Sequence, residues 1–305
     1  MSSSVFNLYK QNNEEDPSVM TFQPNPTVPG SLEHIARSTV QIPNAEQWTM
    51  KSRSGHHDYQ IMVFKPAEPP PPSGYPVIYL LDANSVFGTM VEAIRVQGRR
   101  PEKTGAVPAI VVGIGYPIKG PFSPHRYYDF TPQATTEYTT KSDGTPLPEQ
   151  GGADEFLRFI EEELKPDMEQ QFRIDRDRQA IFGHSLGGLF VIHALFTKPE
   201  AFRYYIAGSP SLHWNQKVMQ AEEQEFVARL EQHPVNVRVW IGMGEQEKIH
   251  PARNNDKAST LTERLSALKQ PGLDIAYTEF EEENHVSVLP FLISRTMRFA
   301  CSPES

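Results

Sequence analysis

Apolar residues along the chain fall into short, strand-length runs rather than long one-sided stripes: residues 77–81, 109–112, 179–182 and 238–241. Helix-length segments separate these runs. Strands that are apolar on both faces and alternate with helices belong to a mostly parallel central sheet with helices on both of its faces. Ahead of them, residues 48–53 and 59–65 are rich in β-formers and flank the turn-like Ser54-Gly55-His56-His57-Asp58, which predicts an N-terminal antiparallel hairpin. A proline-rich stretch over residues 66–72 leads from it into the sheet. Near the end, a strand over residues 274–280 precedes a C-terminal helix. No repeat of about 20–50 residues is visible, which excludes solenoids and propellers.

Two regions break the pattern. Residues 1–33 are polar, contain Pro17, Pro24, Pro26 and Pro29, and have no period of strand or helix; they are expected to form a flexible or draped arm before a domain over 34–305. Residues 115–152 also lack periodicity and hold many Pro, Thr and Tyr, as expected of an insertion forming one wall of a cleft. With 305 residues, 38% of them hydrophobic, the chain can bury one large core. The net charge of −9 disfavours nucleic acid and anionic membranes, which need a basic face. No apolar run approaches the roughly 20 residues of a membrane helix. A polar N-terminus without a leader-like apolar stretch, together with the lone Cys301, points to the cytoplasm. Oligomeric state is not legible.

The chemistry starts where residues 179–182 run into Gly183-His184-Ser185-Leu186-Gly187-Gly188 and then an apolar helical segment. G-x-S-x-G between strand and helix is the nucleophile elbow of the α/β-hydrolase fold. Its serine is held in a strained conformation, and glycine flanks let strand and helix approach closely. Ser185 is therefore the predicted nucleophile, with His184 beside it packing away from the line of attack. A serine hydroxyl needs a base held by a third group, and this fold supplies acid and then histidine after the serine. Of His193, His213, His233, His250 and His285, only His285 follows the late strand and precedes the last helix, so it is the predicted base; His193, on an otherwise apolar helix face, is expected to be structural. Run 238–241 ends in Gly242-Met243-Gly244-Glu245-Gln246-Glu247, where Glu247, spaced Gly-x-x-Glu, is preferred over Glu245 as the acid. The oxyanion donors are predicted to be the amides of Leu186 and of Asn84, the latter after the first parallel strand.

Beyond this constellation stand Tyr79-Leu80-Leu81-Asp82-Ala83-Asn84, Arg100-Pro101-Glu102-Lys103, Val112-Gly113-Ile114-Gly115-Tyr116, Arg126-Tyr127-Tyr128-Asp129-Phe130-Thr131-Pro132 and Ser209-Pro210-Ser211-Leu212-His213-Trp214-Asn215. With them, over residues 35–300, the chain resembles the putative esterase branch of the α/β hydrolases, and within it the siderophore trilactone esterases that open enterobactin or bacillibactin. That resemblance implies a serine esterase hydrolysing a ferric siderophore to release intracellular iron, with a small-molecule ester as its partner. The same branch holds acyl transferases and S-formylglutathione-type thioester hydrolases, so a general carboxylesterase or thioesterase is the alternative, followed by a non-catalytic siderophore-binding protein. Ala83 departs from the Gly more common in the family.

An anionic ferric catecholate needs fixed cations and stacking surfaces. Arg126, in the family's Arg-x-x-Asp-x-Thr-Pro stretch, and Trp214 are the substrate-binding candidates; the competing readings have Arg126 bracing Asp129 and Trp214 in the core. No cofactor and no metal are expected, since adjacent His56 and His57 are badly spaced for one ion and no Cys/His cluster has zinc spacing.

Overall fold

The apolar runs assemble into one eight-stranded sheet. The computed structural model describes residues 38–302 apart from positions 142 and 231, so the expected arm over residues 1–33 lies outside the described residues. The strands are β1 (Ala45–Lys51), β2 (Asp58–Phe64), β3 (Tyr75–Leu81), β4 (Ile110–Gly115), β5 (Ile174–His184), β6 (Tyr204–Gly208), β7 (Val237–Gly244) and β8 (Leu273–Phe280), in spatial order β1-β2-β4-β3-β5-β6-β7-β8. β1 and β2 form the expected hairpin, with Trp48 opposite Ile61, and β2 continues antiparallel onto β4. From β4 to β8 every pairing is parallel.

The helices are α1 (Ala83–Gln97), α2 (Pro101–Thr104), α3 (Arg126–Asp129), α4 (Ala153–Phe159), α5 (Lys165–Gln171), α6 (Leu186–Thr197), α7 (Gln216–Leu230), α8 (Asn254–Ala267) and α9 (Leu289–Ala300); a π-helical turn, Ile160–Leu164, joins α4 to α5. Strand alternation splits the core in two. In β3, Val77, Tyr79 and Leu81 pack with buried residues of α4, α6, α7 and α8, while Ile78 and Leu80 pack with α1 and α9. Both faces being covered is why β3 reads as an unbroken apolar run. α6 is buried from Leu186 through Phe196, as a helix apolar on every side apart from His193 must be. This is the α/β-hydrolase architecture.

β6 was not among the apolar runs: it is only five residues long and ends in Ala207 and Gly208, too small to mark a strand. The 115–152 stretch is largely irregular, containing α3 and an isolated bridge between Thr140 and Pro146. Because the strands from β4 to β8 run the same way, their carboxyl ends share one edge, where such sheets place ligands. A cavity of about 720 Å³ lies at the opposite edge, lined by Arg176, Phe202, Arg203 and Val237, and is remote from the residues described next.

Candidate active site

Ser185 leaves β5 with φ 61° and ψ −117°, a strained conformation for an L-residue, and immediately precedes α6. Close approach enforces this turn. A Cβ on Gly183 would lie 2.2 Å from the Gly187 carbonyl oxygen, and one on Gly188 2.8 Å from that of Gly208. Gly187, the second glycine of the motif, would keep ordinary contacts of 3.6 Å, so sterics demand Gly183 far more than Gly187. The elbow is pinned by the Ser185 amide, which donates to Gly208 O, and by the Ser211 amide, which donates to Ser185 O.

Three strand ends converge on this hydroxyl. The Ser185 hydroxyl lies 3.1 Å from His285 Nε2, and Nδ1 of the same ring lies 2.6 Å from Glu247 Oε2. Glu247 is 8% exposed, so burial pushes its pKa up, but bonds from His285, Ser209 and the Gly244 amide outweigh this and hold it below the usual carboxylate range. An ionised Glu247 makes Nδ1 the donor and leaves Nε2 to accept the serine proton. The Gly-x-x-Glu spacing has a structural basis: Glu247 stands three residues into the helical turn after β7, where its Oε1 accepts the Gly244 amide at 2.8 Å. Glu245 instead accepts the Glu282 amide in the neighbouring loop. That loop is seated closely, since a Cβ on Gly244 would lie 2.5 Å from Glu283 O.

Sequence reasoning missed Ser209 and Ser211. Ser209 has φ 39° and is fully buried, and its hydroxyl donates to Glu247 Oε1 at 2.6 Å; Ser211 Oγ stands 3.4 Å from Ser185 Oγ. Both sit after β6, the strand without a sequence signal. His184 packs, its ring lying against that of His285 with centroids 4.7 Å apart. Burial, and then His285, push its pKa down to about 3, so it stays neutral beside the base.

Leu186 opens α6, and Ala83 and Asn84 open α1; among the described residues the amides of these three have no backbone acceptor. The Asn84 side chain is committed elsewhere, accepting the Tyr116 amide at 2.8 Å and donating to Tyr116 O at 2.9 Å. Ala83 occupies the first helical position of α1, where Ala is as suitable as Gly.

The two substrate candidates are both engaged within the protein. Arg126 is not a free cation. Its Nε and one terminal nitrogen bind Asp82 Oδ1 and Oδ2 at 3.0 and 2.8 Å, with the side chain 11% exposed. Burial opposes the charge, but Asp82 more than restores it. Nor does it brace Asp129, whose carboxylate is taken by His57, Tyr59 and Tyr116. Trp214 is 8% exposed; it stacks on Tyr138 at 5.5 Å and donates to Gln150 Oε1 at 3.2 Å, anchoring the insertion rather than forming an open wall. The exposed face of that cluster belongs to Tyr138.

Elsewhere, buried His193 lies between Glu222 of α7 at 3.0 Å and Asp154 of α4 at 3.3 Å; burial lowers its pKa, but the two carboxylates outweigh it and lift it to about 9. Among the described residues no three His, Cys, Asp or Glu converge to hold a metal ion, and no helix is long and apolar enough to cross a membrane.

Residues 52–287 match the Esterase family, described as "Putative esterase". The chain is 52% identical over 264 residues to a ferri-bacillibactin esterase of Bacillus subtilis, covering 86% of this chain and 91% of that protein. It is 36% identical to a siderophore enterobactin esterase of Emericella nidulans, covering 88% and 98%. The crystal structure of the BES protein from Bacillus cereus superposes with a TM-score of 0.82 at 43% identity, covering 88% of this chain and all of that one.

Proposed function

The chain belongs to this family of ester-hydrolysing enzymes, and from that membership we propose that it is a serine hydrolase that opens the ester bonds of a ferric siderophore. One observation carries the chemistry: the unbroken relay from Glu247 through His285 to Ser185, at 2.6 and 3.1 Å. Ser185 Oγ attacks the ester carbonyl carbon while His285 Nε2 takes its proton, and Glu247 stabilises the imidazolium. The Leu186 and Asn84 amides receive the oxyanion. Collapse expels the alcohol, which takes the proton from His285; water, deprotonated by the same ring, then releases the acid and restores Ser185. The assembled relay speaks against a decayed, non-catalytic binding protein.

The substrate class rests on the relatives named for bacillibactin and enterobactin. Cutting the backbone of a trilactone separates the arms of a hexadentate ligand, which weakens its hold on iron. We assign the reaction to the cytoplasm, where released iron is used, in keeping with the free, buried Cys301. The test is to incubate the protein with a ferric trilactone, a ferric fusarinine-type ester and p-nitrophenyl acetate, and to weigh the products. Linear and monomeric acids from a ferric ligand, absent with Ser185→Ala, are expected. Turnover confined to p-nitrophenyl acetate would replace this reading with a general carboxylesterase.

A further inference from the structure

We propose that Arg126 is a positioning residue: its buried pairing with Asp82 holds the turn that presents the Asn84 amide, so it acts on the oxyanion and not on substrate charge. This inference rests on the serine-hydrolase reading. Asp82 follows β3 with φ 52° and ψ 40°, the left-handed region. An L-residue stays there only when its surroundings overdetermine it, although Asp tolerates it better than most. Two residues on is Asn84. Any relaxation of Asp82 toward ordinary backbone would swing the start of α1 and carry that amide away from Ser185.

The fork of Arg126 supplies the constraint, because two parallel bonds fix the carboxylate plane as well as its position. Asp82 Oδ2 also lies 3.6 Å from where a Gly187 Cβ would stand, so the carboxylate abuts the first turn of α6, which carries the Leu186 amide. Asp82 thus lies in the turn leading to Asn84 while its carboxylate faces the first turn of α6. The pair is dry: Asp82 is 5% exposed, and Phe122 and Phe130 flank the guanidinium, each ring centroid 5.4 Å from it. A guanidinium already matched by a carboxylate has little field left for a substrate anion. Arg126 belongs to α3, inside the 115–152 insertion, and Asn84 is tied by its side chain to Tyr116 and Ile118 at the start of that insertion. The seat of the insertion and the geometry of the oxyanion donors are therefore set together.

The test compares R126Q, R126K, D82N and D82N/R126Q on neutral p-nitrophenyl acetate and anionic p-nitrophenyl hemisuccinate, with rates expressed per serine labelled by a fluorophosphonate. R126Q is expected to lower kcat about 100-fold on both esters, as loss of one oxyanion donor does, with KM changed less than about threefold. Affinity for a boronic acid that mimics the tetrahedral intermediate should fall in parallel. R126K, which keeps the charge but not the fork, should recover about tenfold, and the double variant should be no worse than D82N, because the pair acts as a unit. If R126Q does not yield folded protein, R126K is read the same way, against wild type. Unchanged kcat on the neutral ester with a raised KM for the anionic one makes Arg126 a substrate cation and overturns the proposal; so does a loss that vanishes when rates are taken per labelled serine. A wild-type chain that takes no label overturns the serine-hydrolase reading and this inference with it, whereas a labelled wild type with normal kcat in R126Q overturns this inference alone.

Discussion

The two sides of Ser185 are built differently. On one side, β5, β7 and β8 deliver Ser185, Glu247 and His285 directly from their carboxyl ends, each within five residues of its strand. On the other side, the ends of β3 and β4 meet an irregular insertion, and every important contact there joins residues far apart in sequence: Arg126 to Asp82, Asn84 to Tyr116, Trp214 to Gln150. The strand side is held by backbone ladders that leave little freedom. The insertion side is held by individual side chains, so single substitutions there are expected to alter the oxyanion turn, substrate handling or stability while leaving the Ser185–His285–Glu247 relay assembled.

The largest effect belongs to the strand side. Ser185→Ala is expected to lower kcat by roughly 10⁶-fold with the fold intact, and His285→Ala nearly as much. Residual turnover of a few per cent in a preparation free of contaminating esterases would remove Ser185 from the mechanism. Glu247→Gln should cost less, roughly 10³–10⁴-fold, because the oxyanion donors remain and the ring keeps its contact with His184. A loss equal to that of Ser185→Ala would mean that the acid does more than orient the base.

The elbow itself separates two glycines that look equivalent in the motif. Gly183→Ala should abolish soluble, labelled protein or cut activity at least about 100-fold, because its Cβ would meet backbone at 2.2 Å. Gly187→Ala should retain activity within about tenfold. Equal losses would contradict the close-approach argument.

On the insertion side, Trp214→Ala should lower stability by about 3 kcal/mol in chemical denaturation, the loss of a buried aromatic anchor. It should also raise KM for a bulky ferric ester more than for p-nitrophenyl acetate. A variant of unchanged stability would show Trp214 to be wall rather than anchor. Away from both sides, His193 predicts a slope rather than a loss of activity. Its folded pKa, raised to about 9, exceeds the unfolded value, so its stabilisation is complete below about pH 6.5 and disappears as pH rises through 9. His193→Leu should flatten that part of the stability profile; an unchanged slope would assign it to other groups.

What the sequence by itself determined are features written in local pattern. The apolar runs marked most of the parallel strands, G-x-S-x-G marked the elbow, chain order pointed to His285, and Gly-x-x-Glu spacing favoured Glu247 over Glu245, because each lies just past a strand end whose position the sheet dictates. Tertiary structure alone decided the rest. Ser209 and Ser211 follow a strand of only five residues that ends in Ala207 and Gly208, and they matter only because β6 lies between β5 and β7. The partner of Arg126 lies 44 residues away, nearer candidates such as Asp129 being claimed by His57, Tyr59 and Tyr116. A charged side chain advertises that it needs a partner, but which carboxylate it reaches is settled by packing between elements distant in sequence, and here that packing joins Arg126 to Asp82.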